Sequence, residues 1–215
     1  QEVVYHLNQL WHAGQLPELP VYVDSPLALD ATDVYRAHPE CYDEEMIQAI
    51  LDEADQDPLG FRHLRYVRSS SESRKLNDLE GPAVIISASG MCEGGRVLHH
   101  LKHHIEDPAT TILFAGFQAP HTLGRKILDG MPQVPILGRR YQVRARVARI
   151  EGFSAHADRD GLLAWARQAH QSGRLRRVFL VHGEPEAARS LAEALQQQLG
   201  LDAATPQRGE TFPLD

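Results

Sequence analysis

The chain has 215 residues, of which 42% are hydrophobic and 24% charged, so it can bury a core as one large domain or two small ones. Its net charge of −7 excludes a protein that coats nucleic acid by bulk attraction, although it permits a local basic groove. No window approaches the ~18 apolar residues of a membrane span, and no signal peptide is visible. Cys41 and Cys92 lack metal-ligand spacing, which favours a reducing, cytoplasmic compartment over a disulfide framework.

The first half of the chain alternates predicted helices with short apolar strands. A helix face over 3–11 has no N-cap before it, so we expect a chain that opens in mid-element, as a fragment does. A strand over 21–23 precedes a helix over 27–37, and another helix begins at Asp43. Residues 82–87 are nearly continuously apolar, which predicts a strongly buried strand of a parallel sheet.

A glycine-rich loop follows this strand and precedes a helix predicted over 97–105. The loop contains Ser89, Gly90, Gly94, Gly95 and Arg96. Backbone N–H groups that converge between a strand and a helix can hold a phosphate. The alternative is a tight turn that needs glycine only for its geometry, and the pattern leaves both interpretations open.

The second half changes character near residue 147. Apolar residues alternate with polar ones, which predicts one half-exposed, antiparallel strand over 138–150. Helices are predicted over 159–168 and from Pro185 to the C-cap Gly200. We also expect a buried strand over 178–181 and a closing edge strand over 208–212.

Basic residues are concentrated between residues 124 and 149, where seven of them accompany a single acid, Asp129. The seven are Arg125, Lys126, Arg139, Arg140, Arg144, Arg146 and Arg149. Two interpretations stay open for this segment. It forms a local groove for nucleic acid, or it is the solvated face of a strand.

Two histidines are the best candidates for chemistry, because each lies where an apolar run stops and a helix begins. Side chains at strand ends point into the crevice of an α/β fold. The imidazole of His182 suits zinc binding, and that of His156 suits proton transfer near neutral pH. Asp158 either orients His156 or caps the following helix. On spacing alone, an ordinary hydrogen-bonded histidine is the more frequent alternative at both positions.

Other polar groups carry weaker signals. His99, His100, His103 and His104 form two i, i+4 pairs that could chelate a metal, but no acid or cysteine completes a site, which favours a solvated or structural role. Ser25 is followed by proline and lacks the glycines of a nucleophile elbow, so it predicts a helix start.

Four blocks occur together in a fixed order. They are DSPLA at 24–28, SASGMCEGGR at 87–96, GFSAHAD at 152–158 and VHGE at 181–184. Together they resemble the β-CASP branch of the metallo-β-lactamase superfamily, RNA-processing nucleases related to the cleavage subunit of the polyadenylation machinery. The resemblance implies an α/β fold. A truncated β-CASP cassette with a mainly parallel sheet flanked by helices would occupy 1–146, and the C-terminal part of a metallo-β-lactamase αββα fold would occupy 147–215.

The resemblance also implies an activity, zinc-dependent hydrolysis of RNA, with two zinc ions in the full-length protein. His156 matches a histidine thought to act as general acid or base, with Asp158 beside it, and His182 matches a zinc ligand. The residues expected to face RNA are Ser89, Gly90, Gly94, Gly95, Arg96, Gly124 and Arg125. The family's H-x-H-x-D-H motif is missing, so we expect this chain alone to bind no zinc tightly and to be inactive.

Several alternatives stay open beside this interpretation. A non-catalytic RNA-binding or assembly module of the same fold is the competing function. Endonuclease and exonuclease action are both compatible with the motifs, and a homodimer is a further expectation. The loop over 119–125 resembles one in which the family usually has glycine where His121 stands, so its shape is also open.

Overall fold

The computed structural model describes residues 1–52, 57, 59–150, 152–153 and 156–213. Its contacts divide the chain into two compact units, Gln1–Ser154 and Ala155–Asp215. Each unit has a hydrophobic core of its own. The domain boundary expected after residue 146 stays a prediction.

The first unit contains six of the described α-helices and seven strands. The helices are α1 (Glu2–His12), α2 (Pro26–Ala37), α3 (Glu44–Asp52), α4 (Ser70–Lys75), α5 (Val97–His104) and α6 (Leu123–Leu128). The strands are β1 (Val21–Asp24), β2 (Leu64–Tyr66), β3 (Val84–Ser87), β4 (Thr111–Phe114), β5 (Gln133–Ile136), β6 (Arg139–Gln142) and β7 (Arg146–Arg149). The predicted start of α2 is confirmed, since the Ser25 hydroxyl accepts a hydrogen bond from the Ala28 N–H.

Strand β1 lies at the centre of a three-stranded parallel sheet with the order β2–β1–β3. Val21 and Val23 pack in one cluster with Val4 of α1, whereas Tyr22 packs in another with Leu76. Both faces of β1 are therefore covered, because successive side chains of a strand point to opposite sides. Strand β3 is only half-buried, which corrects the strongly buried strand predicted there, and its edge position explains the difference.

A second core lies under α5 and α6. Ile105, Ile127 and Val134 are fully buried in it, and the parallel pair β4–β7 and the hairpin β5–β6 supply further side chains. The hairpin turns at Leu137 and Gly138, whose φ angles are 47° and 81°. Positive φ at both central residues is what a type I′ hairpin turn requires.

The single antiparallel strand predicted over 138–150 is wrong. Strand β6 pairs antiparallel with β5, whereas β7 pairs parallel with β4. The chain changes partner at Arg144 and Ala145, whose N–H groups both donate to the Ile105 carbonyl oxygen at 2.9 Å. The alternation of buried and exposed side chains continues through this change, so the sequence pattern does not reveal it.

The second unit contains α7 (Arg159–Gln171), β8 (Arg177–Phe179), α8 (Pro185–Leu199) and β9 (Asp202–Ala204). Leu163 and Ala166 of α7 pack in one core with Leu195 of α8. Strands β8 and β9 pair in parallel. The predicted end of α8 is confirmed, because Gly200 caps it with a φ of 66°.

Two predictions in the second unit are wrong. Strand β8 is half-buried at most and ends at Phe179, two residues before the end predicted for it. The last strand is β9, not residues 208–212, which contain a turn where the Glu210 N–H donates to the Gln207 carbonyl oxygen at 3.0 Å. Phe212 still reaches the ring of Phe179, with the ring centroids 5.0 Å apart.

Helices and parallel strand pairs in both units confirm the predicted α/β class. Of the helices that the structure describes, none combines the length and apolar character needed to cross a bilayer.

Candidate functional site

The carboxylate of Asp24, at the end of β1, is fully buried and has three side-chain donors. Its Oδ1 accepts from Arg96 Nη1 at 2.6 Å. Its Oδ2 accepts from Ser73 Oγ at 2.6 Å and from His100 Nε2 at 2.7 Å. Burial raises the pKa of Asp24, but these three hydrogen bonds outweigh burial and hold the pKa below its ordinary value of 3.8.

His100 has the structural role favoured by the sequence. Its Nδ1 faces Asn77 Oδ1 at 2.9 Å while its Nε2 donates to Asp24. Both ring nitrogens therefore face oxygen atoms of the protein, and neither is available to a metal. The neighbouring His104 is half-buried, and burial lowers the pKa of its ring.

Arg96 is the residue that ties the glycine-rich loop to this buried carboxylate. Besides Asp24, its guanidinium donates to the carbonyl oxygens of Val67 at 3.0 Å and Arg68 at 2.7 Å, and 19% of its side chain is exposed. The guanidinium therefore donates its hydrogen bonds to acceptors of the protein itself. Its predicted contact with a phosphate stays a prediction that this geometry does not support.

Two loops that carry predicted RNA-binding residues are hydrogen-bonded to each other. Gln118, which is buried, donates from Nε2 to the Gly90 carbonyl oxygen at 2.9 Å. The Gly124 N–H donates to the Met91 carbonyl oxygen at 3.0 Å, and the Leu123 N–H donates to Glu93 Oε1 at 2.6 Å. The structure therefore brings the loop of Ser89, Gly90, Gly94 and Gly95 beside Gly124 and Arg125.

The glycines of the first loop are not equivalent. Gly95 has a φ of +78°, and a Cβ atom there would lie 2.6 Å from the Ala88 carbonyl oxygen. Gly94 has open space where a Cβ would be, and its φ is not in the left-handed region. Turn geometry therefore explains Gly95 but not Gly94.

The backbone of the second loop explains why glycine was expected at position 121. His121 has a φ of 71°, in the left-handed region that glycine adopts without steric cost. Thr122 then caps α6 by accepting the Arg125 N–H at 3.2 Å. The Arg125 side chain is 41% exposed and pairs with Asp129, with Nη2 2.8 Å from Oδ1.

The two candidate histidines lie together in the second unit. The ring centroids of His156 and His182 are 6.0 Å apart, and the ring planes are inclined by 27°. Both residues are exposed. Exposure distinguishes these two histidines from buried histidines with a structural role. Their rings are neighbours although 26 residues separate them in the chain.

Both histidines immediately precede a helix. His156 lies two residues before Asp158, whose Oδ1 caps α7 by accepting the Gly161 N–H at 2.8 Å. His182 lies two residues before Glu184, the N-cap position of α8. Capping is one of the two roles considered for Asp158, and its part in catalysis stays a prediction.

The donor groups that the structure describes do not by themselves fit a zinc ion. Structural and catalytic zinc sites use three or four protein ligands. Among the residues that the structure describes, no three histidine, cysteine, aspartate or glutamate side chains are grouped to hold a metal. Burial also raises the pKa of the Cys92 thiol to about 11, which disfavours the thiolate form that binds metals.

Known proteins and protein families match this chain over most of its length. Residues 1–127 match the Beta-Casp domain, and residues 140–206 match the Zn-dependent metallo-hydrolase RNA specificity domain. Ribonuclease TTHA0252 of Thermus thermophilus is 36% identical over 214 residues, which are 100% of this chain and 47% of that protein. Transcription termination factor FttA of Methanosarcina mazei is 31% identical over 219 residues, 100% of this chain and 34% of that protein.

The chain therefore belongs to the β-CASP family of the metallo-β-lactamase superfamily, a family of RNA-processing nucleases. It spans about half the length of the Thermus ribonuclease and about a third of the length of the Methanosarcina factor.

The two adjacent glycines give a matched test of the loop. We expect Gly95→Ala to lower the free energy of unfolding by about 1–3 kcal/mol, because the new Cβ meets a backbone oxygen at positive φ. Gly94→Ala is the control and should change it by less than about 0.5 kcal/mol. Urea denaturation followed by circular dichroism measures both, and equal losses would refute this account of the loop.

The Asp24 network predicts a pH-dependent loss of stability. Asp24→Ala leaves Arg96 and His100 without their buried acceptor, which should cost about 3–5 kcal/mol at pH 7. Because the folded-state pKa is depressed, this contribution is complete above the ordinary pKa of 3.8 and disappears as the pH falls through the lower folded value. Urea denaturation should therefore show the gap between wild type and variant narrowing below about pH 4.

Asp30→Ala is the control for this measurement. Asp30 is 61% exposed and pairs with Arg68 at 3.0 Å, so its loss should cost less than about 1 kcal/mol. If Asp24→Ala does not fold, Asp24→Asn takes its place. Equal effects at positions 24 and 30, or a gap that stays constant down to pH 3, would contradict the role of the buried carboxylate.

Proposed function

We propose that the whole protein is a zinc-dependent ribonuclease that hydrolyses phosphodiester bonds, and that this chain contributes His156 and His182 to its active site. The observation that carries the proposal is the exposed pair of imidazoles, 6.0 Å apart, at the starts of two helices. The matches to a Beta-Casp domain and to an RNA specificity domain support RNA as the substrate.

The position of the pair suits an anionic substrate. Helices α7 and α8 have 13 and 15 residues, and each begins within three residues of one histidine. The N-terminus of a helix carries a partial positive charge and free N–H groups, which favour a phosphate. Asp158 already accepts the Gly161 N–H at the start of α7, so a scissile phosphate bound beside both rings would meet the remaining N–H groups of the two helix ends and the two imidazoles.

His156 would act in proton transfer. An imidazole exchanges a proton near neutral pH, so it can protonate the oxygen that leaves phosphorus when the bond breaks. His182 would be one zinc ligand. The remaining ligands would come from residues other than those that the structure describes, since the described groups do not complete a site.

The two hydrogen-bonded loops of the first unit would hold phosphates of the RNA. Arg125 is the best placed cation, because it is partly exposed and Asp129 holds its guanidinium in a defined position. Backbone groups near Gly90 and Gly94 would add contacts that do not depend on the base sequence. Gly124 is buried and its N–H donates to Met91, so it would support the loop and not contact RNA itself.

The competing function is an RNA-binding or assembly module without catalysis. The juxtaposition of two exposed imidazoles favours an enzyme, since binding alone does not require it. We also place the protein in a reducing compartment such as the cytoplasm, consistent with two free cysteines among the described residues, Cys41 and Cys92.

Substitution of His156 tests the catalytic part of the proposal. In the whole protein supplied with zinc, His156→Ala should lower the rate of RNA cleavage by about 10²–10⁴ because the proton donor is lost. Zinc content, measured by atomic absorption, should stay unchanged. His170→Ala removes another exposed histidine of the same unit and should leave the rate unchanged. Full turnover by His156→Ala would remove this residue from the mechanism.

The metal content of the 215-residue chain gives a second test. Because three or four ligands are needed and the chain offers no such group among its described residues, the dialysed chain should retain no stoichiometric zinc and should not cleave RNA. Zinc that persists through dialysis, or RNA cleavage by the purified chain, would contradict this prediction.

A further inference from the structure

Three exposed arginines lie on the segment that runs from β6 to β7 of the first unit. Arg140, Arg144 and Arg146 are exposed and alternate along the chain with Tyr141, Val143 and Ala145, which are buried or half-buried. We call these three arginines the arginine stripe. The alternation of exposed and less exposed residues continues through the bend between β6 and β7.

The surroundings of the stripe leave its charge uncompensated. In the paired strands, Arg140 lies opposite Pro135 and Arg146 lies opposite Thr111, so neither cross-strand neighbour is acidic. Within the part of the chain that the structure describes, no ion pair or side-chain hydrogen bond involves the stripe. Glu106 contacts this segment through the Gln142 N–H, which its Oε1 accepts at 2.8 Å.

The chemistry of the stripe suits a polyanion. Arg140, Arg144 and Arg146 place three cations within seven residues of chain, which suits a polymer with one negative charge per unit. The guanidinium group binds phosphate in a bidentate manner. The net charge of the chain is −7, so the whole molecule does not attract a polyanion. Attraction of a polyanion to the stripe is therefore a local effect.

We propose that the arginine stripe is a binding track for the phosphate backbone of single-stranded RNA, separate from the histidine pair. The proposal rests on the proposed function, because it takes RNA as the substrate. An acidic protein segment is the other candidate occupant. Protein interfaces depend on buried aromatic or aliphatic anchors, whereas the exposed positions of the stripe are arginines with Gln142 between them. Backbone contacts to RNA need only regularly placed cations.

Contacts of this kind have a recognisable signature. They release counterions from the RNA, so affinity falls with salt by a slope of about 0.7 for each phosphate neutralised on a single strand. They also carry no base information, so their loss weakens binding to all sequences by a similar factor.

The experiment compares two triple variants of the 215-residue chain. R140Q/R144Q/R146Q removes the stripe. R62Q/R65Q/R74Q removes three other exposed arginines of the same unit and changes the net charge equally. Fluorescence anisotropy with labelled oligouridine and oligocytidine gives the affinity from about 50 to 200 mM salt, and thermal melts confirm that both variants fold.

The proposal expects the stripe variant to bind both oligonucleotides at least about tenfold more weakly at low salt, with a salt slope smaller by about 2, and the control to match wild type. Equal losses in both triple variants would overturn it, since bulk charge would then explain the binding. It would also be overturned if the stripe variant kept its RNA affinity but lost binding to polyglutamate, which would identify an acidic protein as the occupant.

Failure of the stripe and failure of the proposed function are distinguishable. If the whole protein cleaves RNA in a reaction that needs His156, while the stripe variant binds RNA as wild type does, only the stripe proposal fails. If the whole protein does not cleave RNA and the wild-type chain does not bind it, the proposed function fails as well.

Discussion

The buried carboxylate of Asp24 is the interaction on which the first unit depends. A buried charge is tolerated only when it is paired and hydrogen-bonded. The donors that satisfy Asp24 lie 49, 72 and 76 residues further along the chain, in Ser73, Arg96 and His100. Their convergence fixes α4, α5 and the glycine-rich loop around the end of β1. Through that loop, the constraint reaches the second loop, which is hydrogen-bonded to Gly90 and Met91.

The two units would contribute different parts to the proposed nuclease. The first contains a packed frame, two loops hydrogen-bonded to each other and the arginine stripe. The second contains a pair of imidazoles on short connections before α7 and α8. His182 has a φ of 62°, which a residue other than glycine adopts only at a cost. Helices thus follow both of the exposed histidines that are proposed to take part in the reaction.

Local signals explain which parts of the fold could be predicted from the sequence. Ser25, Pro185 and Gly200 mark helix ends by their own chemistry, and the structure confirms them. The bend between β6 and β7 could not be predicted from local signals, because the alternation of polar and apolar residues has the same period of two in both strands. The four motif blocks singled out His156 and His182, but only tertiary structure shows that their rings are neighbours. In the sequence, the only indication of the Asp24 network is an acidic residue at the end of an apolar strand. An arginine after a glycine-rich loop, such as Arg96, can bind either a phosphate or a carboxylate, so its partner could not be predicted.

Hydrogen–deuterium exchange of the chain, with and without single-stranded RNA, tests the account most directly. The amides of Ser89 and Cys92 should exchange slowly in both samples, because they donate to the carbonyl oxygens of Gly94 and Ser89 inside the loop that Arg96 ties to Asp24. RNA should add protection in 139–149 and around His156 and His182. Rapid exchange of Ser89 and Cys92 without RNA, or protection confined to α1, α2 and α3, would contradict both the frame built on Asp24 and the surfaces proposed to bind RNA.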